Sequence, residues 1–574
     1  MHRRNFIKTT SGLIGMAALA PRLFSATTER DPFLLTLIRD NDESVRKGLG
    51  RQEKVEGQQQ NGAMPDEYVI ANPSATGGFI ASIVNAWHCP ESRYYQSREL
   101  VAPAEAAIGF LLQAQHQDGT IDMISTNFHS TPDTAFLLEL IGPAIELLRI
   151  SKWTPADRLR ADLEKFTLNA GKALVTGGVH TPNHRWVVCG ALARVNALFP
   201  NERYVARIDE WLAESVDQDP DGQYTEKSTS IYSAVVNQAL GTVARLLHRT
   251  ALLDTIRRNL EMTLFYVHPD GEVVTEASKR QDKYQRGSLG RYYYSYRWLA
   301  LLDQDGRFAA MARQIEQTAA GQLGYMLAAF LTEPELLRAL PPSSPLPTDY
   351  AKVFPYSKLA RIRRGPVSAT ILADNSTLFS MRKGRAALEA VRLASAFFGK
   401  GQFIGEELVV EGGKYVLRQK LQGVYFQPLT KEQIAANGGK VLMAPNGTLA
   451  TNQNEKRAHS DVQSLETVVT VTESQGQFDL TIDIAGTDHV PVSLELAFRH
   501  GGELRGVEPL PNVKDAFLLR KGEGEYVFDN QVIKFGPGKV EHVYTQVRGA
   551  IPKWDGLSVY LTGATPFRTT LHLA

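Results

Sequence analysis

Two short stretches in the first half of the chain concentrate side chains that could do chemistry. Thr181-Pro182-Asn183-His184-Arg185-Trp186 offers an amide, an imidazole and a guanidinium. Asp221-Gly222-Gln223-Tyr224-Thr225-Glu226-Lys227-Ser228-Thr229-Ser230-Ile231-Tyr232 adds two phenols and a carboxylate at Glu226. This set suits removal of a proton from the carbon beside a sugar carboxylate. Asn, His and Arg can donate to the negative charge that develops as the proton leaves. A tyrosine can act as base if nearby positive charge lowers its pKa from about 10. The same phenol can return the proton to a leaving oxygen on the same face. β-Elimination in a uronic-acid glycan has these demands: C5 loses its proton, the O4 substituent departs and an unsaturated uronate remains.

Each stretch sits where a loop turns into a helix. Pro182 marks a helix start, and free N–H groups there attract carboxylates. Adjacent helical side chains diverge by about 100°, so Asn183, His184 and Arg185 do not all face one ligand. Asn183 reads equally well as a helix cap, with His184 or Arg185 paired locally. Tyr232 opens a helix that ends near Leu247, and it reads either as a cleft residue or as a core phenol with a satisfied hydroxyl. Around these, Asn127 and His129 lie in a loop before the helix at Asp133, where they can touch a sugar or simply cap and pack. Tyr224, Glu226 and Arg185 complete the nearer candidates for substrate binding. Arg286, Arg291, Tyr292, Tyr293, Tyr294 and Arg297 form an aromatic and cationic cluster. From it Tyr293 and Arg297 are taken as sugar contacts, because arginine clamps carboxylates in paired geometry, and most of the rest is assigned to core. No H-E-x-x-H or comparable spacing indicates a metal, and no cofactor is indicated.

The elements that must position these groups follow from periodicity. Residues 27–340 are helical, with apolar positions at three- and four-residue spacing in about a dozen segments. Turns such as Asp219-Pro220-Asp221-Gly222 and Pro269-Asp270-Gly271 separate them. Many short helices with brief connections predict helix pairs around an axis, an incomplete α/α toroid. Identity between pairs is too low to define a repeat. Residues 341–350, opening with Pro341-Pro342-Ser343-Ser344-Pro345, read as a linker. From 351 to 574 the period becomes two, which predicts an antiparallel β-sandwich. Arg385–Phe398 reads as a helical exception.

Composition bounds the rest. The hydrophobic fraction of 43% and charged fraction of 22% belong to a globular chain. A formal net charge of +1 leaves no basic footprint for nucleic acid. Cys89 and Cys189 read as buried thiols rather than a disulfide framework. Arg3-Arg4-Asn5-Phe6-Ile7-Lys8 followed by the apolar Leu13–Ala20 reads as a twin-arginine export signal over residues 1–26. No later run is long enough to span a bilayer. A periplasmic or secreted protein is expected, with its oligomeric state open.

The pairing of Asn183-His184 with Asp221-Gly222-x-Tyr224-x-Glu226-x-Ser228-x-x-x-Tyr232 resembles the heparinase II/III-like and alginate-lyase-like polysaccharide lyases. The resemblance implies an α/α toroid followed by β-sandwich domains. It also implies Asn183 and His184 as carboxylate neutralisers, Tyr232 as the catalytic tyrosine and an acidic polysaccharide or oligosaccharide as substrate. Ser233 follows Tyr232 where that family often carries an aromatic-His pair. Such lyases often draw a His or Tyr from the β-domain, and Tyr415, Tyr425, His459, His489 and His500 are the candidates. Two other readings stay open. One is a glycoside hydrolase on the same toroid, with its carboxylate pair drawn from Asp133, Asp221 and Glu226. The other is a glycan-binding protein without catalysis.

Overall fold

The computed structural model describes residues 31–53, 60–436, 446, 448 and 453–574. The twin-arginine segment lies outside the described residues. Among the described residues twelve α-helices come first: α1 (Pro32–Arg51), α2 (Pro73–His88), α3 (Val101–Ala114), α4 (Thr131–Ile150), α5 (Asp157–Thr176), α6 (Pro182–Leu198), α7 (Glu202–Ala213), α8 (Tyr232–Leu246), α9 (Leu252–Thr263), α10 (Tyr293–Asp303), α11 (Gly306–Thr318) and α12 (Met326–Thr332). Among the described residues no helix is long and apolar enough to cross a membrane.

Burial separates an inner from an outer layer. α6 is buried nearly all round, whereas α7 buries only Tyr204 and Ile208. A helix apolar on every side must lie inside, and an amphipathic one lies over it. Accordingly α2, α4, α6 and α8 pack in succession, each backed by the helix that follows it. α12 packs on α1, α2 and α4. Asn72 and Ser130 cap α2 and α4 through their side chains, with proline in the first turn of each. The up-down hairpins gather the N-termini of the inner helices, and hence both motifs, at one end of the toroid.

The loops at that end share a turn that sequence identity did not expose. In Asp118-Gly119, Asp221-Gly222 and Asp270-Gly271 the glycine has φ of +92°, +98° and +89°. Each glycine N–H bonds back to the residue three before it: His116, Asp219 and His268. Those same residues donate to the carbonyl just after the glycine, at Thr120, Gln223 and Glu272. Gln115 and Gln218 repeat one further contact, each donating Nε2 to its turn glycine and to a carbonyl of the outer helix behind, Phe166 or Thr255. The first loop also holds a hairpin, β1 (Ile121–Met123) with β2 (Asn127–Ser130).

Between Leu337 and Asp349 the backbone is neither helix nor strand, and it lies along α11 through Arg313 to Pro341 O and Ser344 N–H to Gly306 O. Two large sheets follow. The nine-stranded sheet runs as a meander from Asp349–Phe354 to Ala386–Ser395, then through Pro491–Phe498 and Leu557–Ala564. The eight-stranded sheet centres on His459–Ser474, Gln477–Gly486 and Phe567–Leu573. In the first, Leu494 pairs with Leu393 and Leu561, and in the second Leu480 pairs with Val471 and Leu571. These side chains form the core between the sheets. Arg385–Phe398, expected to be helical, instead contains the strand Ala386–Ser395. Nine of its ten residues are buried, so both faces are covered and the alternation that marks a half-exposed strand is missing.

Candidate active site

Pro182 begins α6 as the sequence suggests, but Thr181, not Asn183, holds the cap position. Asn183 lies one residue inside, 2% exposed. Its backbone N–H and its Nδ2 both donate to Glu226 Oε1, at 2.8 and 2.6 Å. The second Nδ2 proton meets Thr181 Oγ1 at only 3.4 Å, and Oδ1 has no hydrogen-bond partner among the described residues. Glu226 in turn lies 3.6 Å from Arg280 Nε. The Arg280 guanidinium sits over the Tyr232 ring, 5.2 Å from its centroid. Gln281 donates from Nε2 to the Tyr232 hydroxyl. Tyr232 starts α8, held by its N–H to Ser228 Oγ at 3.0 Å, and its side chain is half-buried. The chain Asn183, Glu226, Arg280, Tyr232 thus joins the two sequence motifs through one loop.

His184 packs edge-on against His180 at 4.7 Å and Phe136 at 6.0 Å. Burial pushes its pKa down to about 4, helped by His180 and Arg280 and opposed by Asp133. At neutral pH it is an uncharged imidazole whose buried Nδ1 has no partner among the described residues. It can therefore engage a carboxylate by hydrogen bonding, while Arg280 provides a formal positive charge. Cys189, on the same helix, is buried, and burial raises its thiol pKa.

Several expected substrate contacts have other occupations. Arg185 turns away to Glu214 at 2.9 Å and Asp217 at 2.8 Å and lies over Trp186. Tyr224 is 3% exposed and donates to Asn237 Oδ1, so it is core. Glu226 orients Asn183 and Arg280 and is itself buried. Tyr293 and Arg297 are buried between α10 and α11, both bonded to Glu316, and Arg297 also donates to Leu336 O and Arg338 O. Arg286 and Arg291 are the exposed members of that cluster, and Arg291 lines a cavity with Phe136 and Val187. Asn127 donates to Asp133 Oδ2 at 2.9 Å at the head of α4, which places it beside the His184 environment. His129, exposed and at φ +47°, stacks on His116 at 3.8 Å and bonds Asp118 at 2.7 Å. Among the described residues, none of Tyr415, Tyr425, His459, His489 or His500 makes a hydrogen bond or ring contact with the Asn183–Tyr232 cluster.

Arg280 and Gln281 were not found from sequence. They lie in the α9–α10 connection, which lacks periodicity, and Gln281 meets Tyr232 across 49 residues. The sandwich holds that connection along its length. Arg361 donates to Phe265 O and Val267 O, Thr370 and Ser380 donate to Glu276, Asn375 donates to Glu276 O, and Lys279 pairs with Asp374. Arg499 bridges Glu272 and Glu389. The β-domain therefore bears on the site by fixing the loop that carries Arg280.

No family model and no curated sequence matches the chain. Solved structures do resemble it. Heparinase III aligns over 96% of this chain and 84% of its own, at 12% identity and TM-score 0.53. A chondroitin AC lyase of Streptomyces coelicolor A3, in complex with chondroitin sulphate, aligns over 96% and 78%, at 13% identity and TM-score 0.53. A heparan sulfate lyase from Pedobacter heparinus aligns over 96% and 84%, at 11% identity and TM-score 0.50. At such identities the likeness is one of architecture, and the chain has the helical-toroid and β-sandwich fold of these lyases.

Proposed function

We propose that the chain is a polysaccharide lyase that cleaves a uronate-containing glycan by β-elimination. The observation that carries this reading is the continuous set Asn183, Glu226, Arg280 and Tyr232, with His184 beside it. Asn183 Nδ2 and His184 would hold the sugar carboxylate. Their donation, with the charge of Arg280, would meet the negative charge that develops as the C5 proton leaves. Tyr232 would take that proton. Gln281 already donates to the phenolic oxygen, an arrangement that suits an oxygen bearing negative charge. The phenol would then protonate the departing O4. Lyases with this fold support the assignment, and the Arg3-Arg4 motif supports action outside the cytoplasm.

The hydrolase reading is weaker because its three carboxylates are committed. Asp133 accepts from Asn127 and Ser130, Asp221 from Ser357 N–H, and Glu226 from Asn183. Incubation with a panel of acidic glycans should produce the ultraviolet absorbance of an unsaturated uronate. Tyr232→Phe should cut that rate on the order of 10²- to 10⁴-fold with the melting temperature unchanged. Full activity in the variant would remove Tyr232 from the mechanism. Products without a double bond would indicate hydrolysis, and binding without turnover a lectin-like role.

A further inference from the structure

The toroid axis encloses a cavity with two lobes. The upper, of 530 Å³, is lined by Phe136, Val187, Ala234, Val235 and Arg291. The lower, of 430 Å³, reaches Asn85, Arg194 and Glu333. Glu139, Leu140, Gln238, Gln322 and Tyr325 line both, so the lobes are continuous. Each has the volume of a small-molecule site. The upper lobe begins at the proposed catalytic cluster, since Phe136 lies edge-on to His184 and Val235 lies about one turn on from Tyr232 along α8. Gln238 lies further along α8, about 9 Å deeper by the rise of a helix.

The lining is polar but mostly uncharged. Gln238 and Gln322 border both lobes, and Asn41, Ser44 and Thr242 line the lower one. Amides and hydroxyls of this kind can donate and accept, and so can a sugar hydroxyl. An anion is disfavoured there. The Arg194 charge is met by Glu139 at 2.9 Å and Glu146 at 3.9 Å, and Glu333 is met by Arg245 at 2.9 Å. The apolar walls at Leu140, Val235 and Ala239 suit the carbon face of a sugar ring.

We propose that this cavity is an end-on subsite for a neutral, hydroxyl-bearing sugar at the terminus of the glycan. The chain end enters along the toroid axis while the neighbouring uronate lies at Asn183, His184 and Tyr232. The action is then exo, and the substrate carries a neutral sugar beside the uronate rather than being a polyuronate. This rests on the lyase reading above.

The binding test uses the whole protein and needs no turnover. Glucose, galactose, mannose, N-acetylglucosamine and glucuronate are titrated by ligand-observed NMR, and binding lost in Leu140→Trp is counted as cavity binding. Leu140 is 41% exposed, so the added bulk fills the cavity without entering packed core. At least one neutral sugar should bind in the cavity at least tenfold more tightly than glucuronate. Glu139→Gln should narrow that gap. Absence of cavity binding by all four neutral sugars, equal cavity binding of glucuronate, or a gap unmoved by Glu139→Gln would overturn the subsite. On a cleaved polymer, one short product should accumulate from the first time points, and a ladder of sizes would overturn end-on entry. Neutral-sugar binding without unsaturated product from any polymer would instead sink the lyase reading and leave the subsite standing.

Discussion

His184 shows how burial sets a protonation state. Its folded pKa is about 4 against an ordinary 6.5, because burial, His180 and Arg280 all disfavour the proton. Between these values the unfolded chain takes up a proton that the folded chain refuses. Stability contributed by the neutral ring is therefore full above pH 6.5 and falls as pH drops toward 4. The loss should reach about 3 kcal/mol. Denaturant unfolding at neutral pH and near pH 4 should show it, and His184→Gln should flatten the difference. An equally steep loss in the variant would assign the effect elsewhere. Glu226 makes a second residue-level prediction. Glu226→Gln keeps an oxygen for Asn183 but gives up the ion pair with Arg280. The rate of turnover should fall more than tenfold, a loss of about 1.4 kcal/mol or more of transition-state stabilisation, with KM little moved. A rise in KM alone would make Glu226 a ground-state binding residue. Asn183, His184 and Tyr232 drew notice in the sequence through their types and helix-start positions, and the structure brings those helix starts to one end of the toroid. Arg280 and Gln281 drew none, since only the path of a long loop brings them to Tyr232. Arg297 and Tyr293 misled for the converse reason, as a guanidinium and a phenol can satisfy a helix interface as well as a sugar.

The elements repeat where the residues do not. Each Asp-Gly turn at the end that carries the candidate site rests on an outer helix, and its glycine leaves room for that helix's backbone or side chain. A Cβ on Gly119 would lie 2.2 Å from Asn169 O, and one on Gly222 would lie 2.6 Å from Arg258 O. A Cβ on Gly271 would meet the Thr318 side chain, nearest at Cγ2, 3.3 Å away. All three glycines have positive φ, which costs a side-chain-bearing residue roughly 1–2 kcal/mol before any clash. Gly119→Ala and Gly222→Ala should therefore destabilise by more than Gly271→Ala in urea unfolding. Equal losses would mean that φ alone matters and that the helix contact contributes nothing. The helical elements were readable because an amphipathic stripe at period 3.6 survives in each outer helix. The turn repeat was hidden because it is made by glycine φ and backbone bonds, with only Asp-Gly and two glutamines showing in sequence. The strand Ala386–Ser395 was hidden because full burial, with alanine, leucine, glutamate and arginine in it, imitates a buried helix.

At the scale of the molecule, the two halves are coupled through the α9–α10 connection, which the toroid supplies and the sandwich holds. Arg361 is the centre of that hold. It is fully buried and donates to Phe265 O at 3.1 Å and Val267 O at 3.3 Å across the interface, and to Ala369 O and Thr370 Oγ1 within the sheet. Removing the guanidinium takes a donor from Val267 O and the Thr370 hydroxyl, whereas Phe265 O keeps Tyr350 and Glu276 keeps Thr370 and Ser380. A buried acceptor left without a donor costs about 1–3 kcal/mol. Arg361→Met should then lower the melting temperature and, by weakening a contact that Glu276 and the apolar cluster of Tyr266, Val274 and Phe354 share, separate one calorimetric transition into two. The site should respond as well. A loosened connection releases Arg280 from its place over Tyr232 and Gln281 from the phenolic oxygen. Turnover by Arg361→Met, measured well below its first transition, should fall while Tyr232→Phe loses turnover without losing stability. A variant that melts in two steps yet keeps the full rate would mean that the toroid holds Arg280 by itself, and that the sandwich serves stability alone.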